Sequence, residues 1–259
     1  MVISVGRSMA IAAVATLVVV GACGDDDGSD GPAGSGEDGG AGLGSGSGGG
    51  SADLDPADFT TTIDNPFLPL SPGSRWVYRE TGPNGEVTDI VVTVDERTRT
   101  LANGVEAVVV HDEERNPDGS PIEIAEDWYA QDAEGNVWFL GNIKTEYEDG
   151  EQVTSRFEAG VDGAQGAIVM PDDPQVGETY RQTYVAGEDE DQFEVLGLDE
   201  QAEPVFGRFD GVMMIRKTSP TEPELVDFQF IAPGVGQVLG METAGGDDRN
   251  DLIAYELAQ

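Results

Sequence analysis

The chain has 259 residues and a formal net charge of −38 at pH 7, from 51 acidic and 13 basic side chains. This charge argues against nucleic acid as a partner, because phosphate binding requires clusters of basic residues. The single cysteine, Cys23, excludes an internal disulfide.

The first 22 residues have the features of a secretory signal peptide. Arg7 gives a short positive start, and residues 9–20 are apolar apart from Thr16. This run is too short to span a bilayer, which requires about 20 apolar residues. Small residues, Gly21 and Ala22, then precede Cys23, as expected at a cleavage site.

The run Val20-Gly21-Ala22-Cys23 resembles the lipobox of bacterial lipoproteins, in which an aliphatic and two small residues precede a cysteine. The resemblance covers only this region, and Cys23 is the residue it carries over. It implies cleavage before Cys23, diacylglycerol on its sulfur and acyl chains such as palmitate. Two or more chains anchor a protein firmly to the extracytoplasmic face of a cell membrane. The alternative is an ordinary cleaved signal with a chance cysteine, and the resemblance does not distinguish inner from outer membrane.

Residues 23–54 are predicted to form a tether. The stretch 24–51 consists mainly of Gly, Ser, Asp and Ala, and it offers too little apolar surface to offset the entropy of ordering. Residues 55–259 then have the length of one domain.

The domain shows alternating apolar and polar residues between short turns, which is typical of antiparallel strands. Pro66 and Pro69 exclude a helix or a central strand at 65–70, so this segment is predicted to lie over the core as an apolar strap. Residues 159–174 are interpreted as a connector with one helical turn. The strands of the first part are predicted at 74–80, 87–95, 105–113, 122–131, 137–141 and 153–158.

The pattern then repeats after about 100 residues. Gly73-Ser74-Arg75-Trp76 is echoed by Gly177-Glu178-Thr179-Tyr180. We therefore predict an all-β fold of antiparallel meanders in two similar halves, about 70–158 and 175–259. The sheet is expected to be curved, as a half-barrel or a barrel-like structure. The alternative is that any two meanders look alike.

No catalytic residue is predicted. His111 is the only histidine, and no Gly-x-Ser-x-Gly elbow supplies a nucleophile for it, so a sheet-edge position explains it. With Cys23 committed to lipid, neither cysteine catalysis nor a zinc site is expected.

Acidic pairs are frequent but unspecific. Glycoside hydrolysis requires two carboxylates roughly 5 to 10 Å apart, which many pairs on a β surface satisfy by chance. The segment 132–136 resembles half a calcium loop but lacks the later bidentate glutamate, and a tight turn explains it. No metal and no cofactor are predicted. The pairs are Glu113 with Glu114, Glu126 with Asp127, Asp172 with Asp173, and the acids at 189–191.

Aromatic residues at alternating strand positions are candidates for ligand binding. A curved sheet of modest size can hold one apolar molecule, although plain core packing also explains such side chains. The candidates are Trp76, Tyr78, Trp128, Trp138, Phe228 and Phe230.

Two further motifs carry a second resemblance. Pro72-Gly73-x-x-Trp76-x-Tyr78 and Ala232-Pro233-Gly234-Val235-Gly236 are similar to a set of uncharacterised bacterial secreted proteins and lipoproteins. This resemblance implies no activity and no site residues, and the nearest architectural analogy is the curved half-barrel of envelope carrier proteins.

From these features we predict a membrane-anchored, extracytoplasmic binding protein, not an enzyme. Its expected partners are the membrane, through lipid on Cys23, and an apolar small molecule that it carries or senses. A protein-interaction module of the cell envelope is the alternative, and a carbohydrate hydrolase is a more distant one.

Overall fold

The computed structural model describes residues 54–148, 150–182, 191–220, 222–244 and 247–258. The predicted signal peptide, Cys23 and the tether lie outside these ranges, except for Leu54 at the end of the tether. Two of the acids at 189–191 also lie outside them.

The described residues form fourteen strands and one 3-10 turn, Pro56–Asp58, and they contain no α-helix. None of these residues therefore belongs to a helix that is long and apolar enough to cross a membrane. The strands are β1 (Phe59–Thr60), β2 (Arg75–Thr81), β3 (Val87–Thr100), β4 (Glu106–Arg115), β5 (Pro121–Asp132), β6 (Val137–Glu148), β7 (Glu151–Glu158), β8 (Ala167–Met170), β9 (Thr179–Arg181), β10 (Gln192–Ala202), β11 (Phe209–Ser219), β12 (Glu222–Ala232), β13 (Gly236–Ala244) and β14 (Arg249–Glu256).

All fourteen strands belong to one curved, unclosed sheet, which confirms the predicted all-β class. Twelve of them follow the order β7-β6-β5-β4-β3-β2-β14-β13-β12-β11-β10-β9, and every neighbouring pair is antiparallel. The other two strands lie beside this path, with β1 paired to β5 and β8 paired to β6. Short turns join most consecutive strands, as antiparallel meanders require.

The sheet consists of two six-strand meanders, β2 to β7 and β9 to β14. The first strand of one, β2, pairs with the last strand of the other, β14, from Arg75 opposite Glu256 to Thr81 opposite Arg249. This pairing joins the two meanders in the middle of the sheet. That the two halves repeat one pattern stays a prediction.

The connector at 159–174 differs from its predicted form. It contains the strand β8, which pairs with β6, where one helical turn was expected. β8 also contacts β9, so it lies between the two meanders at the open side of the sheet. Ala167-Ile168-Val169-Met170 is a short apolar run, and such a run does not by itself distinguish a helical turn from a strand.

Most of the apolar core lies on one face, which we call the inner face. Its hydrophobic cluster takes side chains from both meanders, among them Val92 and Val110 of the first and Val195 and Ile215 of the second. A smaller cluster covers the outer face of the first meander, where Leu54 and Phe59 pack near Trp128.

The segment 65–70 lies over one end of the inner face, with Leu68 and Leu70 buried in the main cluster. Asn65 holds it there, because its Nδ2 donates hydrogen bonds to the carbonyls of Gly135 (3.0 Å) and Pro171 (3.1 Å). The inner face therefore has one end that is apolar and covered.

Gly141 on β6 occupies a position that no side chain fits. Its φ is +148°, and a Cβ atom there would lie 2.8 Å from Cε3 of Trp128 and closer still to the Phe157 carbonyl. Gly141→Ala is expected to lower the free energy of unfolding by about 3 kcal/mol, measured by urea unfolding.

Gly119→Ala is the matched control. Gly119 also has a positive φ, +86°, but nothing lies within 4 Å of its Cβ position. Its cost should be only the backbone strain of about 1 kcal/mol. Equal losses of unfolding free energy in the two variants would contradict the close packing of the Trp128 ring, on β5, against the backbone of Gly141, on β6.

Candidate functional site

Four carboxylates are buried on the inner face of the first meander. Asp112 and Glu114 lie on β4, and Glu123 and Asp127 lie on β5, with between 0% and 7% of their surface exposed. On β4 they continue the inward positions of Val108 and Val110, because alternate residues of a strand share a face. We call these four residues the acid cluster.

The strand register brings the acid cluster together. Glu114 lies directly opposite Glu123, at a separation that is roughly 5 Å between Cβ atoms in antiparallel pairs. Asp112 lies opposite Ala125, so it is diagonal to both Glu123 and Asp127. Like charges at such spacing destabilise a sheet, which makes packing an insufficient explanation for the cluster.

Among the described residues, one cation, Lys144, forms ion pairs at the acid cluster. Lys144 on β6 is only 1% exposed, and its Nζ lies 3.5 Å from an oxygen of Glu123 and 3.1 Å from an oxygen of Glu146. One ammonium cannot neutralise four carboxylates, so the cluster has an excess of acid.

Several polar atoms of this region meet no hydrogen-bond partner among the described residues. Most of them are carboxylate oxygens, and the hydroxyl of Tyr129, a residue that is 1% exposed, is a further one. Buried polar atoms in folded proteins are nearly always paired, so a group of such atoms in one place indicates a functional site. The oxygens are Asp112 Oδ1, Glu114 Oε1, Glu123 Oε1 and both Oδ atoms of Asp127.

Burial changes the acidity of these carboxyl groups. It raises the pKa of Asp112 and of Glu114 well above the ordinary values, and the neighbouring acids raise both further. Burial raises the pKa of Asp127 to about 7. The amide of Asn142 faces Asp127 from β6 and lowers this pKa without reaching the geometry of a full hydrogen bond.

Two tyrosines lie beside the acid cluster. Burial, and then the charge of Asp112, raises the pKa of Tyr78. Burial, followed by Asp127 and Asp112, raises the pKa of Tyr129. Both hydroxyls therefore keep their protons. Tyr78 donates a hydrogen bond to the carbonyl of Gln237 (3.0 Å), whereas the Tyr129 hydroxyl has no hydrogen-bond partner among the described residues.

The apolar end of the inner face is filled by side chains. Trp76 is 1% exposed and donates a hydrogen bond to the Val235 carbonyl (2.7 Å). A cavity of about 20 Å³ lies against the strap, between Leu68, Met170 and Gln182. This volume holds roughly one water molecule and no larger apolar ligand.

The six aromatic candidates do not meet at one site. Trp128 and Trp138 belong to the outer cluster, and Arg99 stacks on the Trp128 ring at 4.1 Å. Trp76 and Tyr78 lie in the inner cluster, in which Phe230 also packs, with Phe228 against it. A role of these aromatic side chains in binding stays a prediction. Of the six, Tyr78 is the one whose pKa the acid cluster raises, through the charge of Asp112.

His111 and the Asp132 turn lie away from the acid cluster. His111 Nε2 lies 3.0 Å from Asp95 Oδ2. Asp132 accepts hydrogen bonds from the backbone N–H groups of Glu134 and Asn136, as a tight turn does. Across the described ranges, no three His, Cys, Asp or Glu side chains are grouped so that they could hold a metal ion.

Sequence reasoning named Glu114 and Asp127 only as members of unspecific acidic pairs. The signal that it missed is the alternation of β4, because Val108, Val110, Asp112 and Glu114 share one parity. On β5 the apolar residues Ile124, Trp128 and Ala130 share the outer face, whereas the inner face carries Glu123, Asp127 and Tyr129.

The fold defines an all-β protein with one curved, unclosed sheet, and comparisons with known proteins add only general likenesses. No family model and no curated protein matches the chain. A candidate lipoprotein from Parabacteroides distasonis aligns with a TM-score of 0.41 and 13% identity, over 74% of this chain and 99% of its own. A candidate exported protein with a YmcC-like fold from Bacteroides fragilis gives 0.41 and 14%, with the same coverage.

A third solved structure is a beta-barrel-like protein of a domain of unknown function from Brucella abortus. It aligns with a TM-score of 0.37 and 11% identity, over 72% of this chain and 98% of its own. Likenesses at this level carry no residue role to this chain.

Replacement of Asp127 tests the burial of the acid cluster. Between about pH 4, where an unfolded aspartate titrates, and pH 7, the folded carboxyl holds a proton that the unfolded one has lost. The free energy of unfolding therefore falls as the pH rises through this window, because only the unfolded state gains from ionisation of Asp127. Asp127→Asn should raise the free energy of unfolding by about 1 to 3 kcal/mol above pH 7, and by little near pH 4.

Urea unfolding at several pH values measures this effect, with Glu134→Gln as the control. Glu134 lies exposed in a turn, so its replacement should leave the pH dependence unchanged. A loss of stability in Asp127→Asn above pH 7, or a gain that does not depend on pH, would contradict the burial of an unpaired carboxyl.

Proposed function

We propose that this chain is an extracytoplasmic binding protein, held to a membrane by lipid on Cys23, that takes a polar ligand at the acid cluster. The observation that carries the proposal is the group of buried carboxylate oxygens without a partner among the described residues. Leaving such atoms unpaired costs roughly 1 to 3 kcal/mol each, and a ligand with hydrogen-bond donors would recover this cost.

This proposal replaces the apolar ligand expected from the sequence with a polar one. An apolar molecule next to Asp112 or Asp127 would leave both carboxylates desolvated and unpaired. The cavity at the apolar end of the inner face has a volume of about 20 Å³, which is too small for an apolar ligand at that end.

A hydrolase is the first alternative to a binding protein. Two features favour it: Asp127 has a pKa of about 7, and Asp112 lies on the adjacent strand. A general acid next to a second carboxylate is the arrangement used by glycosidases. Release of reducing ends from envelope polysaccharides by the wild type, and none by Asp127→Asn, would favour the hydrolase.

An interaction module is the second alternative, and the edge strand β7 favours it. Among the described strands, β7 is at one end of the sheet order and pairs only with β6. Its Val153 is 58% exposed. An edge of this kind can accept a strand from another protein. Cross-links from β7 to one recurring envelope protein would support this alternative.

A thermal-shift screen of the full chain tests the proposed polar ligand. Amines, amino acids and polyols form one set of compounds, and a fatty acid and a fluorescent apolar probe form the other. We expect a compound of the polar set to raise the Tm of the wild type, and to have at least tenfold weaker effect on Asp112→Asn/Asp127→Asn. Stabilisation by the apolar set alone, or by neither set, would contradict the proposal.

The membrane anchor has a separate test. In Cys23→Ser the sulfur that would carry diacylglycerol is missing, so the protein should leave the membrane fraction and appear in the soluble fraction. Ser47→Ala, within the tether, is the control and should stay with the membrane. An unmodified Cys23 in the intact mass of the wild-type protein would contradict the anchor.

A further inference from the structure

We infer that the acid cluster binds the ammonium group of an alkyl amine, at the position between Asp112, Asp127 and Tyr129. This inference rests on the proposed function, because it names the chemical class of the ligand at the same site.

The acid cluster contains buried hydrogen-bond acceptors that have no donor among the described residues. The unpaired atoms of the acid cluster are carboxylate oxygens on Asp112, Glu114, Glu123 and Asp127. An ammonium group offers three donors and no acceptor, whereas a hydroxyl of a neutral polyol adds acceptors together with its donor. The positive charge also offsets the repulsion among neighbouring carboxylates. A metal ion fits less well, because the described residues contain no group of three ligands suited to one.

Lys144 shows that an ammonium fits this environment. Its buried Nζ lies between Glu123 at 3.5 Å and Glu146 at 3.1 Å, on the β6 side of the acid cluster. The β4 side presents Asp112, and the charged groups that act on it are all acidic: Asp127, Glu123 and Glu113. Among the described residues, no cation acts on Asp112, so Asp112 offers an ammonium group the same chemistry on the β4 side.

The hydroxyl of Tyr129 is an independent observation at this position. Tyr129 is 1% exposed, and its hydroxyl has no hydrogen-bond partner among the described residues. Tyr129 lies two residues from Asp127 on the same face of β5, and the charges of Asp127 and Asp112 both raise its pKa. It can accept a hydrogen bond from an ammonium group and donate its own proton to a carboxylate.

The surroundings of these polar groups fit an alkyl chain. Val92 lies opposite Asp112 on β3, and Val110 lies opposite Asp127 on β4. Both valines are buried in the inner cluster, so the methylene groups next to an ammonium would meet apolar side chains.

Binding of the ammonium should depend on pH. The cation favours the charged carboxylates, so it lowers their pKa values and releases the protons that they hold in the free protein. Affinity should therefore rise as the pH rises through about 7, the pKa of Asp127 in the free protein. The charged and titratable groups that face this position are Asp112 and Glu114 on β4, Glu123, Asp127 and Tyr129 on β5, Lys144 and Glu146 on β6, and Glu80 and Tyr78 on β2.

Calorimetry with putrescine on the full chain tests the inference, with 1,4-butanediol as the matched neutral probe. We expect saturable binding of one putrescine to the wild type, tighter above pH 7 than near pH 5.5, and at least tenfold weaker binding to Asp112→Asn/Asp127→Asn. Tyr129→Phe keeps the carboxylates and removes only the hydroxyl, so it should weaken binding by a smaller factor. Glu134→Gln/Glu151→Gln removes two exposed acids and should bind putrescine as the wild type does.

The possible results separate the inference from the proposed function. Putrescine binding that persists in Asp112→Asn/Asp127→Asn, or that the exposed control also loses, would assign it to the diffuse acidic surface and overturn the inference. Binding of butanediol or calcium in place of putrescine, lost in Asp112→Asn/Asp127→Asn, would overturn the amine and leave a polar-ligand site intact. No binding by any probe, with all variants folded by circular dichroism, would overturn both.

Discussion

The pairing of β2 with β14 is the constraint on which the rest of the structure depends. It joins the first long strand of the domain to the last one and places them in the middle of the sheet. Two separate meanders would each have to bury an apolar face alone. Joined along this seam, they share one inner cluster, in which Val92 of the first meander and Ile215 of the second are both buried.

The inner face is divided between two kinds of chemistry. At one end, Leu70 of the strap (residues 65–70) and Trp76 of β2 help to fill the interior with apolar side chains. Farther along β4 and β5, the same strands carry Asp112 and Asp127 inward. Burying carboxylates with a single ammonium partner opposes folding, because desolvation outweighs the attraction that one Lys144 can supply. Such an arrangement is better explained by function than by stability, and this separates it from the exposed acids that give the chain its charge.

The sequence predicted the all-β class because alternation and turn glycines act locally. Gly104 and Gly135 lie in the left-handed region of φ, at +91° and +94°, where glycine is favoured, and each precedes a strand as predicted. β8 was missed because a four-residue apolar run has no period of its own, and its pairing with β6 is a tertiary contact. Prediction of the site failed for a related reason. Both faces of β5 are buried, so the apolar parity of Ile124 and Trp128 concealed the polar parity of Glu123 and Asp127.

The aromatic candidates also show that alternation along a strand does not reveal which face of the sheet is the inner one. Trp128 and Tyr129 are adjacent in sequence, yet they lie on opposite faces of the sheet and in different clusters. Which of the two faces is the inner one depends on the curvature of the whole sheet. No local pattern encodes this curvature.

The most direct measurement of the central claim is a carbon-detected NMR titration of the aspartate and glutamate carboxyl groups in the full chain. Burial of the acid cluster predicts a midpoint of about 7 for Asp127, with Asp112 and Glu114 also titrating well above their ordinary range. Midpoints near pH 4, where unperturbed carboxyl groups titrate, for Asp112 and Asp127 would contradict a buried acid cluster on the inner face.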